Sequence, residues 1–165
     1  KTIQNKLFQN SIVLSTNQIH VNMTNFLFPK PTSSKGYSLF LLIFRVFFGL
    51  MLMTHGLSKL YNYSELCLTF PDFIGFGHEL SLLLAISAET ICSIGFIVGG
   101  LYRLAMIPML VTMGVAFFHV HQGSMAQGEL AFLYLIVFVI MYISGPGKYS
   151  FDAVIYRQLH PEENE

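Results

Sequence analysis

Four apolar runs dominate the chain, at about Tyr37–Ser58, Glu79–Gly100, Tyr102–His121 and Glu129–Ser144. An α-helix rises about 1.5 Å per residue, so roughly 20 apolar residues cross the ~30 Å hydrocarbon core of a bilayer. The first three runs reach that length. The fourth is shorter: its unbroken apolar stretch, Leu130–Ile143, covers about 21 Å and sets Glu129 and Ser144 at or just inside the membrane boundary. Of the 165 residues, 53 % are hydrophobic and only 11 % charged, against about 25 % charged in a soluble domain. A soluble fold would leave much of this apolar surface in water, so the sequence predicts an integral membrane protein. Net charge is zero and no basic stripe is present, which argues against a nucleic-acid partner.

The connections predict topology. Gly99-Gly100 can take the backbone conformations that end one helix and reverse the chain, so runs two and three form a tight antiparallel hairpin. Gln122–Gly128 is also short. Lys59–His78 is longer and holds Phe70, Phe73, Ile74 and Phe76, so it lies on the membrane surface or folds back into the bundle. The expected fold is therefore all-α, an integral membrane antiparallel four-helix bundle. Lys30, Lys35, Arg103, Lys148 and Arg157 fall on one side of it, and only Lys59 on the other. By the positive-inside rule both termini are cytoplasmic. Residues 1–32 read as an N-terminal leader or flexible segment, 33–160 as the four-helix domain and 161–165 as an acidic tail. Residues 1–22 lack the apolar core of a signal peptide, and Met23-Thr24-Asn25 reads as a native start.

Charges inside these runs need an explanation, because an ionised group in hydrocarbon costs several kcal/mol unless it is paired or wet. Arg45 lies in the first run, Glu89 in the second, and Arg103 opens the third. Arg45, Gly49, Leu52, Gly56 and Lys59 share one helical stripe, and Ala85, Glu89, Ser93 and Gly100 share another. Counting down from the outer ends puts Arg45 about 20 Å deep and Glu89 about 15 Å deep, within reach of an intramembrane Arg45–Glu89 ion pair. Such a pair would either brace two helices or hold a ligand and relay protons. Arg103 and His121 are five helical turns apart, so in a regular helix they face the same way.

A second cluster gathers at the outer helix ends: His55 and Lys59, His78 and Glu79, His119 and His121, and Glu129. Three readings stay open for it. Either the histidines hydrogen-bond lipid headgroups, or His and Glu serve a quinone in an apolar cleft and exchange protons with it, or the histidines hold a metal. His119-x-His121 lacks the i,i+4 spacing of helical metal ligands, although a frayed helix end accommodates both, so no residue is assigned as a metal ligand.

Several of these residues recur in a pattern that resembles the DoxX family of small bacterial four-helix membrane proteins. It runs over about Tyr37–Val154: Arg45, then His55-Gly56-Leu57-Ser58-Lys59-Leu60; Ala88-Glu89, then Gly95 and the turn Gly99-Gly100-Leu101-Tyr102-Arg103; and the closing Gly145-Pro146-Gly147-Lys148-Tyr149-Ser150-Phe151-Asp152. The closing segment also reads as a helix stop followed by a short helix, Phe151–Leu159, capped by Ser150 and Asp152. The resemblance implies a multi-pass protein of the bacterial inner (cytoplasmic) membrane. Family members include a subunit of a thiosulfate:quinone oxidoreductase and partners of other redox or maturation systems.

Two functions are therefore expected. One is an oxidoreductase subunit that binds a quinone or similar apolar ligand in the bundle, with Arg45, His55, Lys59, Glu89, His121 and Glu129 as the ligand-binding set. Gly56, Gly99, Gly100, Arg103, Gly145, Pro146, Gly147 and Asp152 would then be structural. The other is a non-catalytic scaffold or assembly factor. Besides the lipid bilayer, the candidate partners are a redox subunit and a second copy of the chain.

Overall fold

Each apolar run forms a helix. The computed structural model describes residues 23, 26–28, 34–72 and 75–159. Most of the expected leader 1–32, Phe73 and Ile74 in the long connection, and the tail 161–165 lie outside the described residues. Helix α1, Lys35–Tyr61, starts where the extended Ser34 accepts a hydrogen bond from the Tyr37 N–H. The short helix α2, Tyr63–Leu66, follows. Helices α3, His78–Val98, and α4, Tyr102–Val115, form the hairpin. Helix α4 runs on as a π-helix, Ala116–Val120. Helix α5 covers Met125–Ser144, and α6 covers Phe151–Leu159. Among the described residues, four helical stretches are long and apolar enough to cross a membrane: α1, α3, α4 with its π extension, and α5.

Helix α5 begins four residues before the expected start, with Ser124 in extended conformation at its cap. Its 20 residues reach about 30 Å, so the fourth span is no shorter than the bilayer core. The long connection is tied down by Asp72. Its carboxylate accepts from the N–H groups of Gly75, Phe76 and Gly77 and from the Ser81 hydroxyl, at 2.8–3.2 Å. A carboxylate at the α3 N-terminus satisfies orphan donors and complements the helix dipole.

Helices pack in the order α1, α3, α4, α5. Lipid is as apolar as the helix surfaces, so close approach and dispersion, rather than water exclusion, hold the spans together. Gly56 permits that approach between α1 and α3: a methyl there would sit 2.6 Å from Thr90 Cγ2 and 2.9 Å from Glu89 Cβ. Toward the other end of the contact, Gly49 faces Phe96 and Ile97. This register carries the first turns of α1 past the end of α3, where Gly147 of the closing segment lies over Ser38 and Leu41. The core beside it is aromatic. Phe96 stacks on Tyr102 at 5.5 Å and meets the edge of Phe138 at 5.4 Å, with Met106, Met109 and Met141 around them. Phe47, Ile91, Phe118 and Ile143 are each more than half exposed, a lipid-facing surface.

Across the remaining seam, α1 meets α5 through side chains. Phe48 and His55 on α1 both place their rings 6.1 Å from that of Tyr134, edge to face.

Candidate functional site

Two polar centres occupy opposite ends of the α1–α3 contact. Arg45, fully buried, belongs to the first. Its Nη1 donates to Pro146 O at 2.6 Å, and its Nη2 donates to Tyr149 O. Gly99 ends α3 beside the guanidinium with φ +70°, and Leu101 keeps the turn left-handed at φ 46°. Asp152 accepts from the N–H groups of Leu101 and Tyr102, both at 2.8 Å, and so caps α4 from a distant point in sequence. Its own N–H donates to Gly99 O at 2.9 Å. Burial pushes the Asp152 carboxyl above its usual range, against the two N–H donors and the Arg45 charge. Ser150 caps α6 by accepting from the Ala153 N–H. The turn and the closing segment, separate stretches of sequence, thus form one lock around Arg45.

Arg45 therefore does not pair with Glu89. The depth count assumed that α1 and α3 start level at the outer end. Glu89 instead packs against Gly56, and about 16 Å of helix separates Gly56 from Arg45. Helix α3 projects past α1 at that end, which accommodates the connection through α2 and Asp72.

Glu89 pairs with Lys59. The carboxylate is only 2 % exposed, and Lys59 holds its Oε2. This pair stands in the wall of a cavity of about 270 Å³. Leu52, His55 and Lys59 line it from α1, Glu89 from α3, Met113, Ala116 and His121 from the third span, and Gln127, Leu130, Ala131 and Tyr134 from α5. All four spans contribute. The Tyr134 side chain is almost wholly buried, and its hydroxyl has no hydrogen-bond partner among the described residues. An unmet buried hydroxyl costs about 1–3 kcal/mol, so its place beside the cavity marks a position where a ligand would relieve that cost.

Four of the six expected ligand residues, His55, Lys59, Glu89 and His121, meet at this cavity. Arg45 lies in the lock. Glu129 is exposed and does not line the cavity. The α5 lining falls at Gln127, Leu130, Ala131 and Tyr134, an i, i+3, i+4, i+7 stripe that skips Glu129. Gln127 was missed because α5 was expected to start after it. Tyr134 was missed because a tyrosine in an apolar run reads as packing; the usable signal was its position on that stripe.

Arg103 and His121 do not share a face. Arg103 stacks over the rings of Phe26 and Tyr142, at 5.3 and 5.9 Å, and donates to Phe26 O. His121 lines the cavity because the π-turn changes the helical phase: its N–H donates to Ala116 O, five residues back. Gly128 makes room for it, since a methyl there would lie 2.8 Å from His121 Cβ. Among the described residues, no group of three or more His, Cys, Asp or Glu is placed to share a metal ion.

Among the described residues, an all-helical bundle of four spans with a polar lock at one end and a partly polar cavity toward the other defines a multi-pass integral membrane protein. The profile of the DoxX family matches residues 40–122, half of the chain, and the chain belongs to that family. No curated protein and no solved structure matched it.

Proposed function

We propose that this chain is a redox-associated membrane subunit that binds a quinone or a similar apolar ligand in the cavity between its four spans. The observation that carries this reading is the buried, unpartnered Tyr134 hydroxyl on the wall that also holds the Lys59–Glu89 pair. The surroundings fit such a ligand. Leu52, Met113, Ala116, Leu130 and Ala131 give an apolar bed, and a few convergent polar groups would fix orientation. A bound quinone supplies two-electron, two-proton redox chemistry. Tyr134, His55, His121 and Gln127 would hold its oxygens, and Glu89, paired with Lys59, would hold or take up a proton. Electrons would come from a partner subunit. We place the protein in the bacterial inner membrane with both termini cytoplasmic, on the strength of the family and of the Lys and Arg distribution.

Glu89→Gln tests the reading. It should lower quinone affinity, measured by titration in detergent, about tenfold, with a smaller effect on the melting temperature. Lost thermal stability with affinity intact would make Lys59–Glu89 a brace between α1 and α3 and favour a non-catalytic scaffold.

A further inference from the structure

The buried and exposed parts of the cavity lining fall in different places. Leu52, Met113 and Ala131 are buried, whereas the exposed lining is His55 on α1 with Gln127 and Leu130 on α5. These two helices stand at the ends of the packing series α1, α3, α4, α5. They meet mainly through side chains, where Phe48 and His55 set their rings edge to face on Tyr134. The cavity therefore opens sideways at the α1–α5 seam, onto a surface that faces the bilayer. An aromatic track leads away from that opening. Phe40, Phe44 and Phe48 are spaced i,i+4 and share the His55 side of α1. The Phe40 and Phe44 rings lie 4.2 Å apart, those of Phe44 and Phe48 5.5 Å, and Phe48 reaches Tyr134 on the cavity wall. The track follows α1 for about 12 Å. Phe48 sits at the midpoint of Lys35–Tyr61, and Lys59 near its end. Polar groups thus lie toward the membrane boundary and the track toward the hydrocarbon centre, the polarity of a lipid-like amphiphile.

We infer that the ligand is a long-tailed membrane amphiphile that enters from the bilayer through the α1–α5 seam. Its polar ring fills the cavity against the Tyr134 hydroxyl, and its hydrocarbon tail lies along Phe48, Phe44 and Phe40. Entry by this route keeps the tail in apolar surroundings throughout, so no hydrocarbon is passed through water. The tail gains close packing on the rings, the kind of contact that still discriminates where lipid is the solvent. This inference rests on reading the cavity as a ligand site, and it adds the class of ligand and the side from which it is loaded.

The test is photolabelling of the full chain in phospholipid nanodiscs. The probe is a benzoquinone with a decyl tail that ends in a diazirine, and a tailless benzoquinone is the competitor. Labelled residues are located by mass spectrometry of peptides. The label should fall on the Phe40–Phe48 stretch of α1 and on α5, and excess tailless quinone should remove it. Phe44 does not line the cavity, so Phe44→Ala should weaken binding of the tailed probe several-fold and leave the tailless one unchanged. Phe40, 48 % exposed, gives a second variant, Phe40→Ala, with little to lose in folding. Uniform labelling of all four spans would mean that ordinary lipid covers the track. An unlabelled track in a dimer would mean that a second copy of the chain covers it. Either result, with the tailless quinone still bound, would overturn the inference and leave the ligand-site reading standing. Failure of both quinones to bind would overturn both.

Discussion

Gly99 shows how a single residue can be fixed twice over. Its φ of +70° is left-handed, and a methyl on it would lie 2.6 Å from Ser150 Cβ while crowding the Arg45 guanidinium. Gly99→Ala should therefore destabilise the protein by about 1–3 kcal/mol, read as a lowered melting temperature in detergent. Gly114→Ala is the matched control, since nothing lies within 4 Å of the added methyl; its melting temperature should barely change. At this scale the sequence identified which residues matter better than which residues meet. The cost of a bare charge in lipid pointed to Arg45 and Glu89. Their partners, two backbone carbonyls and Lys59, depended on an axial offset between helices that no residue count reveals.

Elements were legible to within a few residues where apolar periodicity was strong. The hairpin turn at Gly99-Gly100 and the short helix Phe151–Leu159 both form as expected. The start of α5 was less legible because its first turn, Met125-Ala126-Gln127-Gly128, looks like a loop. The π-turn at Ala116–Val120 was not legible at all, since it follows from how the helix end packs rather than from local composition. It matters for the site because it uncouples His121 from Arg103. Asp152 was expected to cap its own helix and instead holds the start of α4. Asp152→Ala should leave the Leu101 and Tyr102 N–H groups unmet, the second of them buried. The expected cost is about 1–3 kcal/mol, with melting in detergent as the readout. Hydrogen exchange should rise first at Leu101 and Tyr102, and unchanged exchange there would remove Asp152 from the lock.

Over the whole molecule, four spans in up-down order require both ends of the bundle to face one compartment. Compartment-specific reporters fused before Lys35 and after Leu159 should both read cytoplasmic; opposite readings would contradict the four-span arrangement. The residues shared with the DoxX pattern also separate by place. Arg45, the Gly99–Arg103 turn and the Gly145–Asp152 segment build the lock, whereas His55, Lys59 and Glu89 belong to the cavity. One group secures the fold and the other sets polar side chains on the wall of the cavity. The most direct measurement of what fills that space is native mass spectrometry of the gently solubilised protein, with lipid extraction and quinone analysis of the same sample. The account predicts a stoichiometric quinone or quinol that is lost in Glu89→Gln. A quinone-free protein that carries a second polypeptide would contradict it and make the chain a scaffold for that partner.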